Sequence, residues 1–242
     1  MKFKLICCEV FLRSACLAIA STPHRVDPEF TRLGAHENSD SLRKLIQNKI
    51  NAVEENGGYD AILLGYGLCG NGTAELKAQS IPLVIPRAHD CCTIFLGSRE
   101  KFLEHFKDKL SSEWSAAGYM ERSDSYLRET DTGKLLGRDK TYEDFVNLYG
   151  EENARYIWET LYPSSTSKEL IYIEIPETAH LGYLNKIKLL AQQQGKEVRI
   201  IEGDMKLIRG LIQGDWNEAD YLIVPPGKVI KAVYDHEKII TV

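Results

Sequence analysis

Short apolar runs alternate with longer amphipathic segments along most of the chain, and this rhythm predicts strands followed by helices. Several of the runs are apolar throughout, as in parallel sheets whose two faces are both covered. Strands are predicted at residues 5–8, 26–30, 59–65, 81–85, 170–175, 197–201 and 221–224. Helices are predicted at residues 11–20, 42–53, 93–106, 144–161, 181–194 and 205–212. Pro28 has no amide hydrogen, which predicts that the second strand lies at a sheet edge.

The predicted fold class is α/β, with a Rossmann-like, mostly parallel sheet and helices on both faces. We expect a first α/β half at residues 1–110 and a second half at residues 169–242, packed as one compact unit. Residues 111–168 interrupt the rhythm with a polar stretch and an aromatic-rich helix, which we interpret as a helical insertion or lid. Its closing face would contain Trp114, Tyr119, Tyr156 and Trp158. The alternative use of these aromatic residues is a contact in a homo-oligomer.

Composition limits the possible function classes. The 242 residues carry a net charge of −5 that is spread along the chain, which argues against a nucleic-acid partner. No apolar run reaches the roughly 20 residues of a membrane span, so we expect no membrane partner and a cytoplasmic location. Cysteines stay reduced in the cytoplasm. The six cysteines therefore favour metal binding or catalysis over disulfides.

Most of the cysteines stand at or shortly after the end of a predicted strand. These are Cys7 and Cys8, Cys69, and Cys91 and Cys92. The carboxyl ends of parallel strands meet at one sheet edge, where thiols from separate loops can come together. The chain has no C-x-x-C pair, and dispersed thiols suit a metal site that is built by the fold and keeps an open position for substrate. Cys16, in the middle of an apolar helix, is predicted to be a core residue.

Polar residues and a glycine-rich loop accompany these cysteines. The loop at residues 65–72 allows the backbone to approach a ligand closely. Arg87 could hold a carboxylate or a phosphate, or form a local ion pair with Asp90. His36 and His89 could complete a metal shell or transfer protons. The candidate catalytic residues are His89, Asp90 and Glu9. The candidate substrate-binding residues are Tyr66, Asn71, Arg87 and Arg155.

Several longer motifs are distinctive: residues 8–10 (CEV), 65–72 (GYGLCGNG), 86–91 (PRAHDC), 95–98 (FLGS), 149–156 (YGEENARY), 202–204 (EGD) and 220–227 (DYLIVPPG). Together they resemble the "domain of unknown function 1638" family over essentially the whole chain. The resemblance implies functional cysteines at Cys8, Cys69 and Cys91 and functional histidines at His36 and His89. The family name supplies no reaction. Its members are similar to proteins found in anaerobes near corrinoid methyltransferase systems, which is context only.

The leading hypothesis is a metal-thiolate enzyme in which Cys8, Cys69 and Cys91 bind one metal, most simply Zn²⁺. His36, His89, water or substrate would be the fourth ligand. The expected reaction on a small molecule is methyl, other one-carbon or sulfur transfer linked to corrinoid metabolism.

Three alternatives stay open. The same thiols could hold a [4Fe-4S] cluster with one open iron. The protein could instead bind a metal, a corrinoid or a small ligand for a partner methyltransferase, without turnover. Metal-free catalysis by two facing thiols ranks last, because all six cysteines lie in the first 92 residues.

Overall fold

The computed structural model describes residues 1–35, 38–56, 58–107, 114–122, 140–161, 168–193, 195–233, 235 and 238–242. Its central sheet has five strands in the order β2-β1-β3-β4-β8. They are β1 (Lys2–Cys8), β2 (Arg25–Thr31), β3 (Ala61–Gly65), β4 (Leu83–Pro86) and β8 (Tyr221–Val224). The first four are parallel, and β8 pairs antiparallel with β4. This confirms the mixed α/β class with a mostly parallel central sheet, and Pro28 does lie on an edge strand.

The helices of the first half follow its strands. A short 3-10 turn (Glu9–Phe11) leads into α1 (Leu12–Ser21), and α2 (Ser39–Asn56) precedes β3. The single helix predicted at residues 93–106 is instead two helices, α3 (Cys91–Leu96) and α4 (Arg99–Phe106). Gly97 separates them with φ +78°, and a Cβ on it would stand 2.6 Å from the Cβ of Asp204. The break therefore depends on a long-range contact that local periodicity does not reveal.

A second, three-stranded parallel sheet has the order β5-β6-β7. Its strands are β5 (Trp114–Ala116), β6 (Glu169–Glu174) and β7 (Glu197–Glu202). The short helix α5 (Ala117–Met120) follows β5, and α8 (Tyr183–Gln193) connects β6 to β7. Strand β5 was not predicted because it has only three residues and lies in a polar stretch. All three are buried, and Trp114 packs against Phe95 of α3.

Two further helices, α6 (Tyr142–Tyr149) and α7 (Glu151–Leu161), form a helical pair where one helix was predicted. Thr141 and Asp144 begin α6 with reciprocal hydrogen bonds, and Gly150 ends it. Inside the pair, Trp158 lies 6.2 Å, between ring centroids, from Phe145. The pair is thus held together by its own aromatic residues.

The last part of the chain returns to the first sheet. Helix α9 (Lys206–Gln213) contacts α1, β3 and β4, and β8 then joins the central sheet. A small antiparallel pair, β9 (Lys231–Ala232) and β10 (Ile240–Thr241), follows. The division at residues 110 and 168 stays a prediction, although β8 belongs to the first sheet rather than to the second. Over the residues described, no helix has both the length and the apolar character that crossing a membrane requires.

Candidate functional site

The central sheet brings three thiols to one pocket. Strands β1, β3 and β4 are adjacent and parallel, so their carboxyl ends lie at the same edge. Cys8 is the last residue of β1, Cys69 lies in the loop after β3, and Cys91 is the first residue of α3, after β4. All three line one small cavity. The space between its walls has about the size of one water molecule.

Hydrogen bonds between two loops set the position of Cys69. The amide of Leu68 donates to the carbonyl of Ala88, and the amide of Cys69 donates to the carbonyl of His89, both at 2.8 Å. Gly67 permits this approach, because a Cβ there would stand 2.8 Å from the Ala88 carbonyl oxygen. Cys69 itself has φ +48°, a left-handed conformation that costs energy in a residue other than glycine. Such strain is often found at functional sites.

The thiols of Cys69 and Cys91 interact directly. The Cys69 thiol donates a hydrogen bond to the sulfur of Cys91, which lowers the pKa of Cys91, and the hydroxyl of Tyr119 lowers it further. The same bond, together with burial, raises the pKa of Cys69. The shared hydrogen bond therefore shifts the pKa values of the two thiols in opposite directions. Burial raises the pKa of Cys8, and the charge of Cys91 adds to this effect.

The remaining walls of the pocket are mostly apolar. They are formed by Phe11, Thr31, Arg32, Ala35, Leu42 and Tyr66. The hydroxyl of Tyr66 is hydrogen-bonded to Thr31, which pairs with Cys8 across strands β1 and β2. Burial raises the pKa of Tyr66, so this phenol stays neutral. Of the predicted substrate-binding residues, Tyr66 is the one that the structure places in the wall of this pocket.

Two of the predicted catalytic residues have structural partners. Glu9 accepts a hydrogen bond from the amide of Leu33 at 2.7 Å, and its other carboxylate oxygen lies 3.4 Å from Nε of Arg122. It thereby fixes the loop that follows β2. Asp90 accepts from the amide of Thr93 at 3.2 Å and is the N-cap of α3. Burial raises the pKa of Asp90. Catalytic roles for these two carboxylates stay predictions.

Arg87 binds backbone carbonyls rather than an anion or Asp90. Its guanidinium donates to the carbonyls of Glu218 and Lys238, both at 2.9 Å, and to that of Ile240. These bonds tie the C-terminal segment to the end of β4. Burial lowers the pKa of Arg87. The predicted carboxylate or phosphate contact of Arg87 therefore has no support in the structure.

Three other predicted residues, His89, Asn71 and Arg155, lie outside the wall of the pocket. The carbonyl of His89 accepts from Cys69, whereas its ring lies 5.9 Å, between centroids, from Phe102. Asn71 is exposed with φ +68°, and its carbonyl accepts from Arg43. Arg155 is exposed on α7. His36, the predicted fourth metal ligand, lies outside the described residues.

The other cysteines divide differently from the prediction. Cys7 and Cys92 are buried in the core, at 0% and 1% exposure. Cys16 is exposed, so its assignment to the core was wrong. Helix α1 is apolar over most of its length, but only one side of it packs on the protein, with Ala15 and Ala18 buried and Leu17 46% exposed. Because the helix sequence is apolar on most sides, it did not show which side packs on the protein.

No metal site is preformed among the residues that the structure describes: no three or more His, Cys, Asp or Glu side chains stand together as ligands would. The three pocket thiols are therefore a donor set whose atoms are not arranged around an ion.

Comparison with known families identifies the chain. The family described as "Protein of unknown function (DUF1638)" matches residues 30–212. The chain belongs to this DUF1638 family. The match includes Cys69 and Cys91, whereas Cys8 precedes it. No curated protein and no solved structure matches the chain.

Two residues of this DUF1638 protein lie at the pocket or contact one of its cysteines, although the sequence did not indicate it. Tyr119 was expected in a lid, yet it is 2% exposed and donates to Cys91. Arg32 lines the pocket from the loop after β2. The two aromatic residues Trp114 and Tyr119 in an otherwise polar stretch were the available sequence signal, and aromatic content alone does not show burial. No sequence signal indicated Arg32, because the pairing of β2 with β1 is what brings it to the pocket.

Proposed function

We propose that Cys8, Cys69 and Cys91 form a thiolate site for one metal ion, most simply Zn²⁺, and that the protein acts there on a small molecule. One observation carries this proposal: thiols from the ends of three adjacent strands line a single pocket, and two of them are hydrogen-bonded. Three thiols with one open position are a donor set typical of reactive zinc sites.

Cysteine thiolates are chemically suitable ligands for Zn²⁺. Burial raises the pKa of Cys8, and the hydrogen bond to Cys91 together with burial raises the pKa of Cys69, so each thiolate needs a nearby positive charge, which a divalent cation provides. Thiolates that share Zn²⁺ lie about 4 Å apart, since each bond measures about 2.3 Å. No three ligand side chains among the described residues have this arrangement, so metal binding would require the three sulfurs to move closer together. His36 or substrate would complete the shell.

The chain's own residues prepare this site. Hydrogen bonds from the Cys69 thiol and from Tyr119 lower the pKa of Cys91, while Phe11 and Leu42 give the pocket apolar walls. When bound, a zinc ion with three thiolate ligands keeps a thiol substrate deprotonated and still nucleophilic. We therefore propose alkyl, one-carbon or sulfur transfer as the reaction class, in a reducing compartment such as the cytoplasm. The corrinoid context implied by the family resemblance is consistent with this class.

The contact between Cys69 and Cys91 disfavours metal-free catalysis by facing thiols. Such a mechanism places the substrate carbon between two sulfurs, which take and return a proton from opposite sides. Here the two thiols are hydrogen-bonded to each other instead of facing each other across a substrate. The same closeness suits two ligands of one metal.

Metal content of anaerobically purified protein tests the proposal. We expect about one zinc per chain in the wild type, loss of most of it in Cys69→Ser, and full content in Cys16→Ser, because Cys16 is exposed on α1. Equal metal content in the two variants would refute the ligand assignment. Visible absorption with iron and sulfide would instead indicate the [4Fe-4S] alternative, and a cobalt spectrum would indicate a corrinoid.

Turnover assays then separate an enzyme from a binding protein. Metal-loaded protein is mixed with methyl donors and small thiols, and methyl thioether formation is followed. Product formation that Cys69→Ser abolishes supports a transferase. Stoichiometric metal without turnover supports a protein that delivers the metal or a ligand to a partner.

A further inference from the structure

We propose that Arg87 is a positioning residue of the thiol pocket, which holds the loop that carries Cys69 by way of the C-terminal part of the chain. This inference rests on the proposed function, because it names what sets the geometry of the same site. The Cys69 loop is defined as residues 67–76, and the C-terminal strap as residues 227–232 and 238–241. Arg87 does not line the pocket, so it acts through these two segments.

The Cys69 loop has a backbone conformation that needs outside support. Cys69 and Glu75, near its two ends, have φ values of +48° and +65°, which are left-handed and unfavourable in residues other than glycine. Such conformations persist only where the surrounding structure enforces them. The amide of Cys69 donates to the carbonyl of His89 at 2.8 Å. The amide of Glu75 donates to the carbonyl of Ile230, in the strap, at 2.7 Å.

Arg87 contacts both of these supports. His89 lies two residues after it, and the amide of Arg87 donates to the carbonyl of Asp220 at 2.8 Å, which anchors this part of the chain on the turn before β8. The guanidinium of Arg87 donates to the strap carbonyls of Lys238, at 2.9 Å, and of Ile240. One side chain thus joins the segment that holds the start of the loop to the segment that holds its end.

Backbone pairing within the strap carries this contact to the loop. Ile240, in β10, pairs antiparallel with Ala232, in β9. Two residues before Ala232, the amide of Ile230 donates to the carbonyl of Leu76 at 2.9 Å. Both Ile230 and Ile240 are 0% exposed, so the strap is packed into the core. A continuous series of backbone contacts therefore runs from the guanidinium to the loop that carries Cys69.

Arg87 serves here as a donor of several hydrogen bonds. Its Nε donates to the carbonyl of Glu218 at 2.9 Å, in addition to the two strap carbonyls. A guanidinium has N–H groups in fixed directions, which lets one side chain bind carbonyls from separate segments. Loss of these donors should loosen the strap and the loop together. Cys8 and Cys91 belong to β1 and α3, so Cys69 is the thiol that we expect to be displaced.

Cobalt substitution tests whether Arg87 keeps Cys69 in place as a ligand. The absorbance of thiolate-to-cobalt charge transfer increases with the number of thiolate ligands, so it reports the ligand set. Arg87→Met keeps a long apolar side chain and removes every donor. We expect its cobalt form to lose about one third of this absorbance per bound ion, because one of three thiolates leaves the shell. Arg87→Lys should restore most of it, because in the wild type a single nitrogen, Nη1, binds both strap carbonyls.

Arg99→Met is the matched control. Arg99 donates to the carbonyl of Ala219 at 2.6 Å, in the same turn as Glu218, and has no bond to the strap in the described part of the chain. Its cobalt spectrum should equal that of the wild type. A purely structural role of Arg87 would lower the free energy of unfolding and leave the absorbance per bound ion unchanged. That result, or an equal loss in Arg99→Met, would overturn the inference.

Hydrogen exchange of the wild-type protein tests the same coupling without a substitution. If the strap holds the loop, the amides of Cys69 and Ile230 should open with the same free energy as urea is raised below the unfolding transition. Protection of Cys69 that persists after Ile230 has opened would contradict the inference. This measurement also separates the two proposals. A wild type that binds neither zinc nor cobalt refutes the metal site, and exchange alone then decides the role of Arg87.

Discussion

Two aromatic regions, residues 114–122 and residues 140–161, contain similar residue types in opposite environments. In the first, Trp114 is 8% exposed and Tyr119 2% exposed, and both rings pack near Phe95. In the second, Tyr149 is 52% exposed and Tyr156 72% exposed. Aromatic content therefore does not distinguish a core segment from a surface segment. The tertiary contacts of each ring decide whether it is buried.

The difference has a functional consequence. Residues 114–122 are part of the wall that supports α3, and Tyr119 reaches the sulfur of Cys91. They cannot form the moving surface of a lid. The helical pair packs Tyr142, Phe145 and Trp158 on one another and leaves other aromatic rings at its surface. A lid or a homo-oligomer contact stays a prediction for the helical pair alone.

The largest expected difference between the two regions is in stability. Trp114→Ala removes a buried ring and leaves a cavity, so we expect it to lower the free energy of unfolding by about 3–5 kcal/mol. Tyr156→Ala should change it by less than about 0.5 kcal/mol, because that side chain is largely exposed. Guanidinium unfolding of both variants measures the two values. Similar losses would show that the helical pair is as well packed as β5.

Removal of one hydroxyl tests the link between the first region and the site. The hydrogen bond from Tyr119 lowers the pKa of Cys91, so Tyr119→Phe should raise that pKa. We expect about tenfold less thiolate at a given pH below that pKa, the usual size of a hydrogen bond to a charged group. Ultraviolet thiolate absorbance of chelator-treated protein measures it. Tyr59→Phe, whose hydroxyl binds Asp27 elsewhere, should leave the titration unchanged.

Hydrogen exchange tests whether the helical pair responds to the site. If residues 140–161 close over the pocket, their amides should exchange about threefold more slowly when zinc and mercaptoacetate are added at constant oligomeric state. The amides of β5 should change little, because that strand is already buried. Protection that follows protein concentration instead would assign the helical pair to an oligomer contact and remove the lid hypothesis.

The smallest expected effect is the pH dependence of the cap of α6. Hydrogen bonds from Thr141 lower the pKa of Asp144 below its ordinary value of 3.8. The cap therefore stabilises the protein above about pH 4, and this contribution is lost as pH falls through the lowered pKa. The wild type should unfold at higher urea than Asp144→Asn at neutral pH, with no difference near pH 2. A difference that is constant with pH would contradict this assignment.

Prediction from sequence succeeded where local pattern decides structure. Runs of apolar residues located the strands of the central sheet, and Pro28 located its edge, because both signals act within a few residues. Strand β5 was missed, since three residues carry no periodicity. Gly97 broke a predicted helix because Asp204, more than 100 positions away, packs against it. The exposure of Cys16 likewise depended on which face of α1 the rest of the protein covers.

The site shows the same division. Local pattern was enough to place thiols at three strand ends and to expect them at one sheet edge. It could not pair Cys69 with Cys91, bring Tyr119 to that pair or place Arg32 at the pocket. It also could not show that Arg87 binds carbonyls at residues 218, 238 and 240. These contacts depend on strand order and on hydrogen bonds between loops, which join residues distant in the chain and leave no local periodicity.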